Sequence, residues 1–306
     1  MITRAHTEAA AARIAGHVRT TPVMETAPGL WLKLEQTQHT GSFKARGAFN
    51  RILTATETGE LPGSGVVAAS GGNAGLAVAY AAAALGVPAE VYVPTTAPEV
   101  KVRKLAALGA TVRQVGAIYR DAYDAARKRE AETGALFCHA YDQPEICAGQ
   151  GTLGLELLAQ TGGVDTILIA VGGGGLMAGV AAAVEGRAKV VAVEPARIPT
   201  LHAALQAGEP VDVEVSGIAA DSLGASRIGD IAFDVAVRTR VASVLVGDVD
   251  IVRARRGLWD HRRIVVEHGT AAALAALESG AYRPAPGERV AVVLCGANTD
   301  PSDLAG

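Results

Sequence analysis

The most informative pattern along the chain is an apolar run that leads into a glycine-rich turn and then into a segment of small residues. It begins at G-V-V-A-A-S (65–70) and recurs at T-I-L-I-A-V (166–171). A third run, E-R-V-A-V-V-L-C (288–295), leads into G-A-N. Runs without polar alternation are typical of parallel strands that helices cover on both faces. The pattern therefore predicts three buried strands, each ending at a glycine turn.

Further strands and helices are predicted between these runs. The strands are at 89–94, 110–115 and 189–194, and the helices are at 98–108, 119–133 and 149–160. Alternating strands and helices indicate a doubly wound α/β protein. In such a sheet, ligands bind beyond the carboxyl ends of the strands, where the glycine turns lie. We therefore expect the three turns to line one crevice or two.

One segment is apolar enough to suggest a membrane helix. Residues 166–184 carry no charge over a length that could cross a bilayer. The four consecutive glycines within it would each cost a helix about 1 kcal/mol relative to alanine. The segment is therefore predicted to be a strand, a loop and a helix, and no membrane partner is expected.

Composition narrows the possible functions. The chain has 306 residues, of which 49% are hydrophobic, and its net charge of −3 lacks the basic footprint of a nucleic-acid-binding protein. Its N-terminus has no apolar signal segment. The three cysteines, Cys138, Cys147 and Cys295, lack metal-ligand spacing, which favours reduced thiols in a cytoplasmic protein. We expect small-molecule partners and further copies of the chain, as a homodimer or another homo-oligomer.

The second glycine turn is a candidate phosphate site. It consists of Gly172, Gly173, Gly174 and Gly175. Such a run between a strand and a helix offers backbone N–H groups to a phosphate, although a flexible turn is the simpler alternative. The turn also fits G-x-G-x-x-A, with Ala178 as the last position and Glu194 at the end of the next strand. That arrangement is typical of a nicotinamide dinucleotide site, but it leaves the other motifs unexplained.

The first glycine turn is a candidate site for an anionic oxygen. It consists of Ser70, Gly71, Gly72 and Asn73, and it opens a helix. A hydroxyl, backbone N–H groups and a side-chain amide at a helix N-terminus suit a carboxylate or a phenolate-like oxygen. The alternative is that Asn73 only caps the helix.

Lys44 is the third candidate, in T-G-S-F-K-A-R-G-A-F (40–49). A lone lysine is usually solvated, but apolar neighbours such as Phe43 and Phe49 could lower the pKa of its amine and favour Schiff-base chemistry. Arg46 would lower that pKa further if it lay near the amine, or it could point elsewhere. Cys295, before the last glycine turn, is by itself a small buried hydrophobe.

Together these motifs resemble the serine/threonine dehydratases, also called threonine ammonia-lyases. These enzymes belong to the tryptophan-synthase-β-like class, fold type II, of enzymes that depend on pyridoxal 5'-phosphate (PLP). The resemblance spans nearly the whole chain and rests on K-L-E-Q-T-Q-H-T-G-S-F-K-A-R-G-A (33–48), S-G-G-N-A-G (70–75), G-Q-G-T (149–152), G-G-G-G-L (172–176), V-E-P (193–195) and L-C-G-A-N (294–298).

The resemblance implies a role for each candidate. Lys44 would bind PLP covalently, in the apolar setting of Phe43, and act as the catalytic base. Asn73 would bind the phenolic oxygen of PLP, and Cys295 would face its pyridine nitrogen. The phosphate would lie on the 172–175 turn and on the N–H of Leu176. The substrate carboxylate would be bound by Ser70, Gly71, Gly72 and Asn73.

The resemblance also implies the domains and the reaction. Segments 1–50 and 136–306 would form a large PLP-binding domain, and 51–135 a small domain that closes on the substrate. A neutral Cys295 favours β-elimination or β-replacement, because the unprotonated pyridine is a weaker electron sink. The expected reaction is β-elimination of L-threonine, L-serine or both to 2-oxobutanoate or pyruvate and ammonia.

Other activities remain open in sequence terms. They are dehydration of another β-hydroxy amino acid, serine racemisation, cysteine-synthase-like β-replacement, nicotinamide-dependent oxidation and PLP-fold binding without catalysis. Gly71 disfavours a racemase, because related racemases carry a serine there. His39 and the 198–205 segment are expected to shape the side-chain pocket, and Glu194 to bind a cation or serve a structural role. Because the chain ends soon after Cys295, no C-terminal effector-binding domain is expected.

Overall fold

The structure is a computed structural model that describes residues 1–304. Two sheets organise it. Their strands are β1 (Val23–Ala27), β2 (Leu30–Lys33), β3 (Val66–Ala69), β4 (Ala89–Val93), β5 (Thr111–Gln114), β6 (Leu136–Phe137), β7 (Thr166–Ala170), β8 (Lys189–Pro195), β9 (Ala242–Val246) and β10 (Val290–Val293).

Helices cover both sheets. They are α1 (Arg4–Arg13), α2 (Lys44–Glu57), α3 (Asn73–Ala84), α4 (Glu99–Ala107), α5 (Tyr119–Thr133), α6 (Pro144–Thr161), α7 (Gly175–Val184), α8 (Thr200–Ala207), α9 (Ala220–Leu223), α10 (Asp230–Thr239), α11 (Asp248–Arg262) and α12 (His268–Ser279). Short 3-10 turns lie at Glu35–Thr37, His39–Gly41 and Ser302–Leu304.

Within residues 1–304 the larger sheet has the strand order β1-β2-β10-β7-β8-β9, and the smaller sheet the order β5-β4-β3-β6. Only β1 and β2 pair in antiparallel fashion; the other neighbouring strands of both sheets are parallel. The apolar runs form β3, β7 and β10, whose residues are all buried. The predicted α/β class with two doubly wound open sheets is therefore confirmed.

The uncharged segment at 166–184 forms β7, the glycine turn and α7, as predicted. No helix among residues 1–304 is both long and apolar enough to span a bilayer. The smaller sheet draws its strands from the range 66–137, and the division of the chain into 1–50 with 136–306 and 51–135 stays a prediction.

The fold brings the start of α2 to the last glycine turn. Ser42 forms an isolated antiparallel bridge with Gly296, and the backbone N–H of Phe43 donates to the carbonyl oxygen of Cys295 at 3.0 Å. Lys44, the next residue, begins α2. The position of Lys44 is therefore set by backbone contacts with a segment about 250 residues away in sequence.

Candidate active site

A cavity of about 560 Å³ opens where the carboxyl ends of β3 and β7 meet the start of α2. The residues predicted to hold PLP or the substrate carboxylate all line it: Phe43, Lys44, Ser70, Gly71, Gly72, Asn73, Gly172, Gly173, Gly174, Gly175, Leu176 and Cys295. The first and second glycine turns therefore lie around one crevice together with Cys295, which precedes the third, as a ligand-binding site at the strand ends of an α/β fold requires.

Lys44 places its amine inside this cavity. The Nζ atom donates to the carbonyl oxygen of Ala140 at 2.6 Å and lies 4.9 Å from the centroid of the Phe43 ring. Burial lowers the pKa of the amine from 10.5 to about 8. The amine is therefore far easier to deprotonate than a solvated lysine, which both a nucleophile and a general base need.

Arg46 points away from that amine. Its guanidinium forms a bidentate ion pair with Glu35, with N–O distances of 2.6 and 3.0 Å, and reaches Glu156 at 2.9 Å. Arg46 and Glu35 are both buried. The guanidinium contributes nothing to the lowered pKa of Lys44, which leaves burial as the cause. Of the two orientations left open by the sequence, the structure has the second.

Asn73 is held by a partly buried hydrogen-bond network. Its Nδ2 donates to the carboxylate of Glu267 at 2.8 and 3.1 Å, and its Oδ1 accepts from Nδ2 of Asn298 at 2.6 Å. The backbone N–H of Asn298 also donates to Glu267 at 2.9 Å. Asn73 begins α3 but makes no side-chain capping bond, so the capping interpretation is wrong. The amide is instead fixed in orientation at the cavity wall.

Glu267 was missed by the sequence reasoning. It precedes α12 in V-V-E-H-G-T, it is 6% exposed, and burial raises the pKa of its carboxyl. In the sequence, Glu267 is marked only by the apolar pair before it and by a glycine two positions after it. This pattern matches no known motif. Its importance comes from its contact with Asn73, 194 residues away in sequence.

The glycine turn before α7 has no room for side chains. A Cβ added to Gly173 would lie 2.4 Å from the ring of Tyr141, and one on Gly175 would lie 2.5 Å from the carbonyl oxygen of the same tyrosine. Gly174 has φ +86°, in the left-handed region that favours glycine. The turn presents backbone N–H groups at the positive end of α7, which forms an anion cradle.

The other side of the cavity is the start of α3. The hydroxyl oxygen of Ser70 accepts from the N–H of Gly72 at 3.2 Å, which leaves the hydroxyl proton available to a ligand. No side chain caps the first turn of α3. Ser70 and the uncapped N–H groups can therefore hold a carboxylate.

Cys295 provides a neutral group. Burial raises the pKa of its thiol to about 12, so the group carries no charge at neutral pH. Its Sγ lies 3.3 Å from the hydroxyl of Thr270, which also lines the cavity. The side chain therefore presents an uncharged, polarizable sulfur atom to the cavity.

Glu194 lies outside the cavity lining and has a structural role. Its carboxylate accepts from the N–H groups of Leu201 and His202, at 2.7 and 2.9 Å, and from the hydroxyls of Thr200 and Ser243, at 3.2 and 2.7 Å. The chain's own donors surround this carboxylate at the start of α8. Because these hydrogen bonds occupy the carboxylate of Glu194, it is not available to a ribose hydroxyl or to a cation. The nicotinamide interpretation depended on this carboxylate and therefore loses its basis.

The expected side-chain pocket was misplaced. His39 contacts the hydroxyl of Tyr80 at 3.0 Å, and segment 198–205 forms most of α8; neither lines the cavity. Thr96, Lys101, Tyr119, Tyr141 and Asp221 line it instead. These residues come from loops and helix starts that no glycine motif marks. Among residues 1–304, no group of three or more His, Cys, Asp and Glu side chains is placed to hold a metal ion.

The groups around the cavity fit PLP. The Cβ-free turn suits a phosphate, the amine of Lys44 suits an aldehyde carbon, and the amide of Asn73 suits a phenolic oxygen. Cys295 offers no charge to a pyridine nitrogen. Each of these groups has one complementary part of the cofactor.

Comparisons with known proteins agree with this fit. A model of the family described as pyridoxal-phosphate dependent enzyme matches residues 14–296. The chain is 37% identical to an L-threonine ammonia-lyase from Thermotoga maritima, over 90% of this chain and 68% of that protein. It is 36% identical to a phenylserine dehydratase from Ralstonia pickettii, over 96% and 92%. A crystal structure of a T.th. threonine deaminase superposes with a TM-score of 0.89 at 37% identity, covering 98% of this chain and 99% of that one. With a buried amine, a glycine cradle and an oriented amide around one cavity, the chain belongs to the pyridoxal-phosphate-dependent enzyme family.

Proposed function

We propose that this protein is a PLP-dependent ammonia-lyase that converts L-threonine, L-serine or both to 2-oxobutanoate or pyruvate and ammonia. The observation that carries the proposal is the amine of Lys44, with a pKa of about 8, in the same cavity as the glycine cradle and the oriented amide of Asn73. Similarity to an L-threonine ammonia-lyase and to a threonine deaminase supports the choice of substrate.

The chain's residues divide the work of holding PLP. The N–H groups of the 172–175 turn and of Leu176 would hold its phosphate, and Nδ2 of Asn73 would donate to its phenolic oxygen. Glu267 accepts from the same Nδ2 and so keeps that amide in place. Phe43 and Cys295 line the same cavity, where Phe43 would supply an apolar wall and the neutral Cys295 would face the ring. PLP bound there supplies an electron sink for the α-carbon of the amino acid.

The substrate is oriented by the start of α3. Ser70 and the N–H groups of Gly71, Gly72 and Asn73 hold its carboxylate, at the positive end of the helix. Lys44 Nζ then removes the α-proton, because a pKa of about 8 leaves roughly one such amine in ten unprotonated at pH 7, far more than for a solvated lysine. The proton taken from the α-carbon and the β-hydroxyl together leave as one water. The released enamine then tautomerises to an imine, whose hydrolysis gives ammonia and the 2-oxo acid.

Gly71 favours elimination over racemisation. It has no side chain to donate a proton from the second face of the substrate, and the nearest atom to an added Cβ is Val93 Cγ1 at 3.5 Å. A β-replacement enzyme would use the same groups but would need a second nucleophile. The phenylserine dehydratase relative makes aryl-substituted serines a further substrate class to test.

We further propose that residues 51–135 form a small domain that closes on the substrate carboxylate, and that 1–50 and 136–306 form the large domain. The short strand β6, at the start of the second large-domain segment, completes the sheet of the small domain. A catabolic role, a cytoplasmic location and assembly as a homodimer or other homo-oligomer are part of the same proposal. Unchanged distances between the two sheets with and without bound substrate would contradict the closure.

A substrate panel tests the activity. The protein reconstituted with PLP is incubated with L-threonine, L-serine and L-threo-phenylserine, and 2-oxo acid and ammonia are measured. We expect equal amounts of both products from L-threonine without an added nucleophile. Lys44→Ala should remove turnover, and Lys128→Ala, which changes a lysine that is 77% exposed, should retain it.

Three results would overturn the proposal. They are no product from any substrate although the cofactor is bound, product only after a thiol nucleophile is added, and conversion of L-serine to D-serine faster than to pyruvate. The first would indicate binding without catalysis, the second β-replacement and the third a racemase.

A further inference from the structure

The cavity contains few charged side chains, and they fall into two groups. Among the described residues, those that line it are Lys44, Lys101, Asp221 and Glu267. Lys44 and Glu267 belong to the cofactor end described above. Lys101 and Asp221 have no part in holding PLP or in removing the α-proton, yet both face the same cavity.

Lys101 and Asp221 pair with each other across the cavity. Lys101 lies in the first turn of α4, beside the smaller sheet, whereas Asp221 lies in α9, beside the larger one. The Nζ of Lys101 is 2.6 Å from Oδ1 of Asp221, and the side chains are 32% and 73% exposed. The pair is therefore at the water-accessible end of the cavity, and it joins the two halves of its wall.

Both charges act on the interior of the cavity. Burial is the main cause that raises the pKa of Glu267, and Asp221 raises it further while Lys101 lowers it. The pair is therefore close enough to Glu267 for its two charges to affect the pKa of that carboxyl. The first turn of α4 is also the positive end of a helix, where a carboxylate is favoured. Asp221 supplies that carboxylate from within the chain.

We propose that the Lys101–Asp221 pair determines substrate specificity by excluding amino acids with an acidic side chain. This inference rests on the proposed ammonia-lyase activity and names its substrate class: β-hydroxy amino acids with an uncharged substituent. A substrate carboxylate at this end of the cavity meets the like charge of Asp221, and the cation that could bind it is already neutralised. A methyl, hydrogen or aryl substituent carries no charge, so Asp221 does not repel it and it needs no cation to bind.

The proposal makes Asp221 the excluding element and Lys101 a latent carboxylate-binding group. Asp221→Asn removes the repulsion and releases the ammonium of Lys101. L-threo-3-hydroxyaspartate is the probe, because it carries a carboxylate where L-threonine carries a methyl group. The quantity measured is the ratio of kcat/KM for this probe to kcat/KM for L-threonine, which cancels any loss of folded or cofactor-loaded enzyme.

We expect Asp221→Asn to raise this ratio about tenfold, the size expected when a weak repulsion becomes a weak attraction in a site open to water. The double variant Asp221→Asn/Lys101→Met should lose the part of the gain that comes from attraction to Lys101 and keep the part that comes from the removed repulsion. Glu99→Gln is the matched control, because it removes one acidic partner of an exposed basic residue, Arg103, on the same helix. It should leave the ratio unchanged.

Inhibition of L-threonine turnover gives a second reading that does not require the acidic probe to react. Succinate and butanoate have the same chain length but differ in one carboxylate. In Asp221→Asn, the inhibition constant of succinate should fall relative to that of butanoate, and adding Lys101→Met to this variant should reverse part of the fall.

The outcomes separate this inference from the proposed function. If the wild type converts L-threonine but Asp221→Asn does not change the ratio, or the double variant keeps the whole gain, the role of the pair is wrong and the ammonia-lyase activity stands. If the wild type prefers L-threo-3-hydroxyaspartate, the exclusion is also wrong. If the cofactor-loaded wild type releases ammonia from no β-hydroxy amino acid, the proposed function itself fails.

Discussion

The lowered pKa of Lys44 makes a quantitative prediction about how the apoenzyme captures its cofactor. Only the unprotonated amine attacks the aldehyde of PLP. With a pKa of about 8, roughly one Lys44 side chain in ten is unprotonated at pH 7, compared with about one in three thousand for an ordinary lysine near 10.5. The rate of cofactor attachment should therefore rise about tenfold for each pH unit below 8 and level off above it.

The assay is a stopped-flow series between pH 6 and pH 10. Apoenzyme is mixed with PLP, and the growth of the visible absorbance band is followed at each pH, with a small-molecule amine as the reference for the titration of PLP itself. A rate that keeps rising beyond pH 9.5 would refute the reasoning, because it would show that the cavity does not lower the pKa of Lys44.

The same shift has a consequence for stability. The unfolded chain holds the Lys44 proton up to about pH 10.5, whereas the folded apoenzyme releases it near pH 8. Between these values the unfolded state binds more protons, so this group makes the apoenzyme more stable as the pH rises through that window. The measurement is the urea midpoint of the apoenzyme between pH 8 and pH 10.5, for the wild type and for Lys44→Met. If the midpoint depends on pH in the same way in both, the lowered pKa of Lys44 is contradicted.

Three other perturbations test separate parts of the site. Arg46→Met leaves the buried carboxylate of Glu35 without its bidentate partner, and urea unfolding should show a loss of about 3–5 kcal/mol; a loss below about 1 kcal/mol would contradict the account. Gly173→Ala should weaken PLP binding in equilibrium dialysis, because the added Cβ would overlap the ring of Tyr141. Adding Tyr141→Ala to this variant should restore part of the affinity. Unchanged affinity in Gly173→Ala alone would show that the cradle tolerates a side chain. Dialysis against EDTA should leave L-threonine turnover unchanged, because donors of the chain surround Glu194, and a loss that Mg²⁺ restores would argue for a cation site.

Long, uniform patterns were enough to predict most of the larger architecture. The apolar runs of β3, β7 and β10 show no polar alternation, so their burial between helices could be inferred before their partners were known. The pair β1–β2 and strand β9 are partly exposed, with few buried positions, and nothing in their sequence separated them from loops.

Predictability of the site followed the same division. Lys44 and the glycine turns were identified because each carries a local signature and because the strand ends of an α/β fold converge. Glu267 and the Lys101–Asp221 pair were not, because their roles depend on partners 194 and 120 residues away. The sequence also did not show which way the side chain of Arg46 points, because that orientation is set by its ion pair with Glu35.

The central claim is that the cavity exists to hold PLP on Lys44, and mapping the attachment site tests it most directly. The holoenzyme is reduced with borohydride, digested and analysed by peptide mass spectrometry. The account predicts a phosphopyridoxyl group on the peptide that contains Lys44 and on none of the other five lysines of the chain. Attachment to a different lysine, or a fully active enzyme with unmodified Lys44 after reduction, would contradict it.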